Sequence, residues 1–363
     1  MSVSCGIVGL PNVGKSTIFN ALTAAQAEQG NYPFCTIDPN VAVVEVPDEN
    51  LAVIRRYIET KKIIPAALNV VDIAGLIAGA SKGEGMGNKF LANIRECDAI
   101  MHVVRCFEGS SVVREQAVNP LEDMEVIELE LALADMETVA RAVERVSKKA
   151  RSGDKESLQQ KALFERAHTL LEAGTMLRAE EWTPEERNLL KPLCLMTLKD
   201  MLYVANVADD DLDGASDLAQ VVAHRAAEQG AEWIPICGDI ESELRGMEPD
   251  ERALFMEELG IESLGLNRLI KATYKLLGLQ TYYTAGEKEI RAWTCHAGDK
   301  APRAAGVIHT DFEQAFIRAE VYSVPDLVEF ESEAQIRAAG RLRTEGRDYV
   351  MREGDVCHFL IGK

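Results

Sequence analysis

The segment 9–17 constrains the fold of this chain more than any other stretch. Its sequence, GLPNVGKST, fits the pattern G-x-x-x-x-G-K-[ST] in full. The apolar run 3–8 before it is typical of a buried strand, and residues 18–22 continue as a helix. A strand, a glycine loop and a helix in this order predict a phosphate-binding loop in an α/β domain. A plain glycine turn between strand and helix is the alternative.

Each residue type in this loop has a chemical reason to be there. Glycine at positions 9 and 14 lets the backbone curl around an anion, so that successive N–H groups point at a phosphate on the positive end of the helix. The amine of Lys15 would reach the β- and γ-phosphates, and the hydroxyl of Ser16 would hold Mg²⁺. The residues expected to contact a nucleotide here are Asn12, Val13, Gly14, Lys15, Ser16 and Thr17.

A second motif follows at the spacing that phosphate-loop enzymes require. The apolar strand 66–72 ends in Asp72, which begins a D-x-x-G sequence with Gly75. An aspartate at such a strand end supports the Mg²⁺ shell, and the glycine amide binds the γ-phosphate. Thr36, in a turn-rich segment, is the third predicted metal ligand. We therefore predict metal ligands at Ser16, Thr36 and Asp72, and catalytic roles for Lys15, Asn12 and Gly75.

Two segments have the composition of mobile switches. Residues 31–40 are rich in turn formers, and residues 79–88 carry four glycines directly after the D-x-x-G sequence. We predict switch segments at 31–40 and 75–90 that become ordered when the γ-phosphate is present. A flexible linker at 79–88 is the alternative.

Bulk composition limits the classes of partner. The chain has 363 residues, enough for two or three domains, and its net charge of −20 argues against indiscriminate affinity for nucleic acid. We expect no DNA specificity, and any RNA contact must be local. No apolar run approaches the roughly 20 residues that cross a bilayer, and no basic leader precedes the first strand, so we expect a cytoplasmic protein without a membrane anchor. Eight scattered cysteines predict neither a zinc site nor disulfides.

The pattern of apolar residues divides the chain into four parts. Apolar positions recur at steps of three and four over 126–146 and again over 158–171, which predicts two long antiparallel helices. Their apolar stripes are the seam of this hairpin or, alternatively, a face for a partner. Sheet strands resume at about 200, and the last 85 residues have the texture of a small mixed sheet. We predict a nucleotide-binding domain in two pieces, at 1–121 and 196–278. A helical insertion at 122–195 separates the two pieces, and a C-terminal domain follows at 279–363.

Two later strand ends are candidates for the base of a nucleotide. The strand 200–205 leads into Asn206, Val207 and Asp209, and the strand 232–237 leads into Gly238. In a doubly wound sheet both ends lie on the ligand side. A helix or turn cap explains the same residues equally well.

These motifs, in this order, resemble those of the YchF (Obg-like ATPase) family of Obg-related, translation-factor-class phosphate-loop proteins. The resemblance covers essentially the whole chain. It is most specific in the sequence NYPF at 31–34, the sequence DIAGL at 72–76, and three further stretches at 88–95, 282–289 and 291–294. It implies a Ras-like doubly wound α/β domain interrupted by a helical coiled coil, then a C-terminal TGS domain of β-grasp type. It also implies a Mg²⁺-dependent hydrolase that prefers ATP over GTP and associates with the ribosome or its RNA. We expect a monomer.

The base-reading position explains the expected preference for ATP. In the guanine-specific sequence N-K-x-D, the carboxylate accepts two hydrogen bonds from guanine and the lysine packs along the base. Here Val207 replaces the lysine, which weakens guanine selectivity. The family usually has glutamate where this chain has Asp209, and this departure keeps some GTP use. The prediction is therefore ATP preferred, with incomplete discrimination.

The residue that orients the attacking water is missing from its usual place. Ras-type enzymes have a glutamine directly after D-x-x-G, whereas this chain has Leu76. We therefore expect slow hydrolysis by the isolated protein. The candidates to complete the site are K⁺ held near Asn12, a partner, or a residue of the loop 108–118, where relatives commonly have a histidine and this chain has Arg114. Arginine stabilises charge but is a poor base.

Two other functions are compatible with the sequence. One is a GTP-specific switch. The other is an adaptor that keeps nucleotide as a structural ligand, has negligible turnover and binds RNA or the ribosome. The set Lys15, Ser16, Thr36 and Asp72 favours an enzyme, because a structural nucleotide has less need of a full metal shell.

Overall fold

A computed structural model describes residues 3–29, 40–73, 86–108, 117–151 and 153–362. Thr36, Gly75, Leu76 and Arg114 lie outside the described residues, as do most of the two predicted switch segments. The described residues form two compact units. No helix within these ranges is both long and apolar enough to cross a membrane.

The first unit is built on a sheet whose strand order is β2-β4-β1-β5-β6-β7. Each pairing from β4 through β1, β5 and β6 to β7 is parallel. These strands are β1 (Ser4–Val8), β2 (Val41–Glu45), β4 (Ala67–Asp72), β5 (Ala99–Cys106), β6 (Asp200–Val207) and β7 (Glu232–Ile236). The helices between and after them are α1 (Lys15–Gln29), α3 (Met86–Glu96), α7 (Asp217–Glu228), α8 (Gly238–Arg245), α9 (Pro249–Glu258) and α10 (Gly265–Leu276).

Burial explains the all-apolar strands of this sheet. Every residue of β5 is buried, as expected for a central parallel strand covered on both faces. Its side chains share one hydrophobic cluster with β6, α3 and α7, in which Ile94, Ile100 and Val222 are fully buried. The expected alternation of strands and helices is therefore the basis of the nucleotide-binding part.

A helical hairpin interrupts the sheet between β5 and β6. It consists of α4 (Pro120–Ala150) and α5 (Lys155–Glu172), and α6 (Pro184–Leu190) follows. The apolar stripes predicted from the sequence form a core of their own, in which Val139, Leu163 and Ala167 are buried. The capping box that begins α6 is present as the sequence indicates, with Thr183 and Glu186 each bonding the backbone of the other.

Buried polar groups fasten this hairpin to the sheet. Glu128 of α4 is 2% exposed, and its carboxylate accepts hydrogen bonds from Tyr203 of β6 at 2.7 Å and Arg225 of α7 at 2.5 Å. Arg178 also donates to the Tyr203 hydroxyl, at 3.3 Å. A buried carboxylate is tolerated only with such partners, so this network fixes where α4 meets the sheet.

The second unit has its own six-stranded sheet, in the order β11-β10-β12-β8-β9-β3. The strand β3 (Ile63–Ile64) pairs in parallel with β9, and α2 (Glu49–Tyr57) also belongs to this unit. The hydroxyl of Tyr283 donates to Asp48, the residue that caps α2, at 2.8 Å. The sequence pattern does not indicate that residues 43–68 group with the C-terminal residues. The other elements are β8 (Leu279–Ala285), β9 (Ile290–His296), α11 (Ala301–Ile308), α12 (Thr310–Ala315), β10 (Phe316–Ser323), α13 (Val324–Phe330), α14 (Glu333–Ala338), β11 (Arg343–Glu345) and β12 (Asp355–Ile361).

A buried histidine near the hairpin junction links stability to pH. His102 of β5 is 1% exposed, and its ring lies 5.3 Å from that of Tyr203. Burial, together with the positive charge of Arg178, lowers the pKa of the His102 imidazole from 6.5 to about 3. The folded protein therefore keeps this ring neutral at pH values where the unfolded chain protonates it.

We predict that His102→Leu reduces the acid sensitivity of folding. Below pH 6.5 the unfolded chain binds a proton at His102 that the folded state does not bind, so stability is lost as pH falls. This contribution amounts to about 2 kcal/mol between pH 7 and pH 5. Urea unfolding of both proteins at the two pH values measures it. An equal loss of unfolding free energy in the two proteins would show that His102 does not carry this term.

Candidate nucleotide site

The phosphate loop connects β1 to α1 through backbone conformations that only some residues adopt. Asn12 has φ of 65° and Gly14 has φ of 88°, both in the left-handed region. Asparagine and glycine occupy this region at the lowest cost. The amide of Ile18 donates to the carbonyl of Gly14 at 3.0 Å and so starts the hydrogen bonding of α1.

Both glycines of the motif are also required by close approach. A Cβ atom at Gly14 would lie 2.1 Å from Nδ2 of Asn206, and one at Gly9 would lie 2.8 Å from the carbonyl oxygen of Val103. Gly9 therefore passes beside β5, directly after the last paired residue of β1, and Gly14 lies against the carboxyl end of β6, at the carboxyl edge of the sheet. This is the place where open α/β sheets bind ligands.

Asn206 joins the loop to the neighbouring strand end. Its side chain is 4% exposed, its Nδ2 donates to the carbonyl of Val13 at 3.0 Å, and its Oδ1 accepts from the amide of Gly238 at 3.0 Å. The amide group of Asn206 thus bonds the protein's own main chain on both sides. A contact of Asn206 or Gly238 with a nucleotide base stays a prediction.

The structure brings Lys15 and Asp72 together. Asp72 ends β4, opposite Ile7 of β1, and its carboxylate bonds the amine of Lys15. The side chains of Lys15 and Asp72 are 11% and 22% exposed, so the pair is largely screened from water. The predicted phosphate-binding cation and the predicted metal-binding carboxylate therefore neutralise each other.

The remaining loop residues differ in exposure. Asn12 and Ser16 are exposed and Thr17 is partly buried, whereas the side chain of Val13 is 1% exposed. Val13 can therefore serve a ligand only through its main chain. Among the described residues no three His, Cys, Asp or Glu side chains gather into a metal site. Among the described residues, the hydroxyl of Ser16 and the carboxylate of Asp72 are the predicted ligands of a cation here, and Mg²⁺ is typically held by only one or two carboxylates together with phosphates of the ligand.

The two other base-site candidates lie in opposite environments. Val207 is 2% exposed and packs in the core cluster of the first unit, whereas Asp209 is exposed. Cys237, next to Gly238, is buried, and burial raises the pKa of its thiol. It is a neutral packing residue rather than a nucleophile.

A contact that the sequence did not indicate connects α3 to the hairpin. Arg95 of α3 donates from Nη2 to the hydroxyl of Thr138 at 3.1 Å and to the carbonyl of Ala134 at 3.4 Å, both in α4. Lys199 in turn donates to the carbonyl of Arg95 at 3.1 Å. α3 begins within the segment 75–90 that the sequence predicts as a switch, so this contact joins the end of that segment to the insertion. No local sequence signal marks a pairing across some 40 positions.

Known proteins resemble this chain over its whole length. A family described as "50S ribosome-binding GTPase" matches residues 4–142, and the family YchF-GTPase_C, described as a protein of unknown function, matches residues 279–362. Proteins named "Ribosome-binding ATPase YchF" from Escherichia coli O157:H7 and Bacillus subtilis are each 50% identical over 362 residues, with 99% of each chain covered.

A solved structure shows a closely similar fold. The YchF GTPase of Schizosaccharomyces pombe superposes with a TM-score of 0.90 at 36% sequence identity, covering 99% of this chain and 98% of the other. The expected phosphate-loop α/β fold with a helical insertion and a C-terminal domain is confirmed.

We predict that Asn206→Asp destabilises the protein by at least about 2 kcal/mol and weakens nucleotide binding at least about tenfold. The new carboxylate would face the Val13 carbonyl without a proton to donate, and a buried unsatisfied charge is costly. Urea unfolding and calorimetric titration with ATP measure the two effects.

Asp209→Asn is the matched control, because it makes the reverse exchange at an exposed position of the same strand end. Its unfolding free energy should stay within about 0.5 kcal/mol of the original. Equal stability of the Asn206→Asp protein and the original would mean that the two hydrogen bonds do not hold the loop.

Proposed function

This chain belongs to the YchF family, and we propose that it is a Mg²⁺-dependent nucleoside triphosphate hydrolase, selective for ATP, that works as a switch on the ribosome. The observation that carries the proposal is the pairing of Lys15 and Asp72 at an intact phosphate loop. The names of the relatives, "Ribosome-binding ATPase YchF", support the substrate and the partner. A cytoplasmic location, a monomeric state and kinship with Obg proteins are part of the proposal.

The residues present fit a triphosphate and its metal. The left-handed turn at Gly14 is a backbone conformation that lets successive main-chain amides face an anion, and exposed Ser16 stands at the start of α1. Mg²⁺, when bound, neutralises charge on the β- and γ-phosphates. Ser16 and Asp72 would hold it with Thr36, and Gly75 would donate to the γ-phosphate. Lys15 would exchange the Asp72 carboxylate for phosphate oxygens, so its partner differs between the two states.

The nature of residue 207 supports the preference for ATP. A lysine there would lie along a guanine base, whereas the Val207 side chain is packed in the core. Asp209 keeps the carboxylate that guanine recognition uses, so we propose incomplete discrimination. The GTP-specific alternative draws support from Asp209 and from the printed names of the matched family and the S. pombe protein.

We propose slow turnover in the absence of a partner. Leu76 cannot orient a water molecule by hydrogen bonding, because its side chain is aliphatic. The group that does so is supplied by the ribosome, by K⁺ near the exposed Asn12, or by Arg114. Of these, the ribosome is favoured by the relatives' names.

The contact between α3 and α4 supports a route from nucleotide to partner. A change in the second switch would shift α3, and Arg95 holds Thr138 and Ala134 of the hairpin. The hairpin would then present different surfaces in the two nucleotide states. The adaptor alternative, with nucleotide held only for structure, requires no such route.

We predict that calorimetry gives tighter binding for ATP than for GTP, and that ribosomes accelerate single-turnover ATP hydrolysis by about tenfold or more, roughly 1.4 kcal/mol of barrier. Lys15→Ala should weaken ATP binding by about 10- to 100-fold, the loss of one charge-assisted contact. Lys61→Ala, at an exposed lysine of the second unit, is the matched control and should bind normally.

Three results would contradict different parts of the proposal. GTP binding ten times tighter than ATP would favour the GTP-specific switch. Hydrolysis that is negligible with and without ribosomes would favour the adaptor. Unchanged ATP binding by Lys15→Ala would show that the phosphate loop is not the ATP site.

A further inference from the structure

Resting on the proposed ribosome association, we propose that the tip of the helical hairpin, residues 141–161, is the surface that contacts RNA phosphates. This tip comprises the end of α4, the turn and the start of α5. The inference goes beyond the proposed function because it assigns the contact to one surface and one chemistry.

Charge is sharply segregated along α4. Residues 120–140 carry seven acidic side chains and no basic one, whereas residues 141–161 carry seven basic and three acidic ones, a net charge of +4. The whole protein has a net charge of −20. The hairpin tip is therefore a positive pole on a strongly negative molecule, and such a pole orients approach to a polyanion.

The basic side chains of the tip are presented to solvent. Arg141, Arg145 and Lys148 are exposed and follow one another at steps of four and three, so they form a stripe on one face of α4. Exposed Arg151 and Lys155 extend this stripe across the turn. Within the described part of the chain, Arg145, Lys148, Arg151 and Lys155 form no ion pair with a protein carboxylate, which leaves their charges available to phosphate.

The helix dipole does not explain this cluster. Basic residues in the last turn of a helix are stabilised by its negative end, which accounts for Lys148 and Lys149. Arg141 and Arg145 lie further from that end, where the effect has decayed. Lys155 is the first residue of α5, where a positive charge is unfavourable. Stabilisation of the helix therefore explains only some of the basic residues at the hairpin tip.

The C-terminal part of the chain, residues 279–362, is a weaker candidate for the same role. These residues carry 14 acidic and 10 basic side chains, so this stretch is net negative. Four of these basic residues are already paired with carboxylates: Lys300 with Asp348 at 2.7 Å, Arg303 with Asp299 at 3.3 Å, Arg337 with Glu320 at 3.0 Å and Arg343 with Asp355 at 3.3 Å. Arg291 stacks on Trp293, 3.9 Å from the ring centroid. Residues 279–362 therefore have a net charge of −4, whereas the hairpin tip has a net charge of +4.

The triple variant Arg145→Gln, Lys148→Gln, Arg151→Gln tests the assignment in the full-length protein. Glutamine has nearly the helix propensity of lysine and arginine, so the hairpin should stay folded, which circular dichroism and unchanged ATP binding would verify. We expect the affinity for purified ribosomes to fall at least tenfold in 0.1 M salt. The slope of log affinity against log salt concentration should decrease in magnitude by about two to three, for three lost phosphate contacts.

The matched control also removes three positive charges, but from residues 279–362, with Arg318→Gln, Arg341→Gln and Arg352→Gln. These arginines are also exposed. This variant should keep its affinity and salt slope, and naked ribosomal RNA should compete with ribosomes for the original protein. The proposal is overturned if the hairpin variant keeps its affinity, or if the control variant loses as much affinity as the hairpin variant. It is also overturned if ribosomal RNA fails to compete, as for an acidic protein partner. Failure of the original protein to bind ribosomes would remove the proposed function as well.

Discussion

The hydrogen bonds of Asn206 are the constraint on which the nucleotide site depends. Its side-chain amide joins the carbonyl of Val13 to the amide of Gly238, and so ties the phosphate loop to the ends of β6 and β7. Gly14 has to lack a side chain because this amide lies against it. The left-handed turn that results starts α1 at Lys15 and places that lysine on Asp72. Phosphate binding is thus prepared by interactions that do not themselves contact phosphate.

A second set of polar contacts holds the helical hairpin against the sheet and its helices. Glu128 holds β6 and α7 against α4 from within the core, and Arg95 holds α3 against the same helix nearer its middle. Buried charged groups need such partners, so these contacts fix the position of the base of this long helix. The tip at 141–161 extends beyond these contacts along the same helix. A shift of α3 would therefore act on α4 through the contact of Arg95 with Thr138, between the helix base and the tip.

Local chemistry made much of this fold predictable. The loop at 9–17, the strand that ends in Asp72, the two long helices and the capping box at Thr183 each depend on residues close in sequence, and all are present. Four features escaped prediction: the double hydrogen bond of Asn206, the Glu128 network, the contact of Arg95 with α4, and the grouping of residues 43–68 with the C-terminal sheet. Each depends on contacts between residues far apart in the chain, and the local periodicity of apolar residues does not indicate such contacts. Thr36, Gly75 and Arg114 stay predictions.

The most direct measurement is a crystal structure with Mg²⁺ and a non-hydrolysable ATP analogue. We expect the Lys15 amine to leave Asp72 for the β- and γ-phosphates and Asp72 and Ser16 to turn to the metal. Asn206 should keep both of its main-chain hydrogen bonds. A structure in which the analogue binds elsewhere and the amine stays on the Asp72 carboxylate would contradict this expectation.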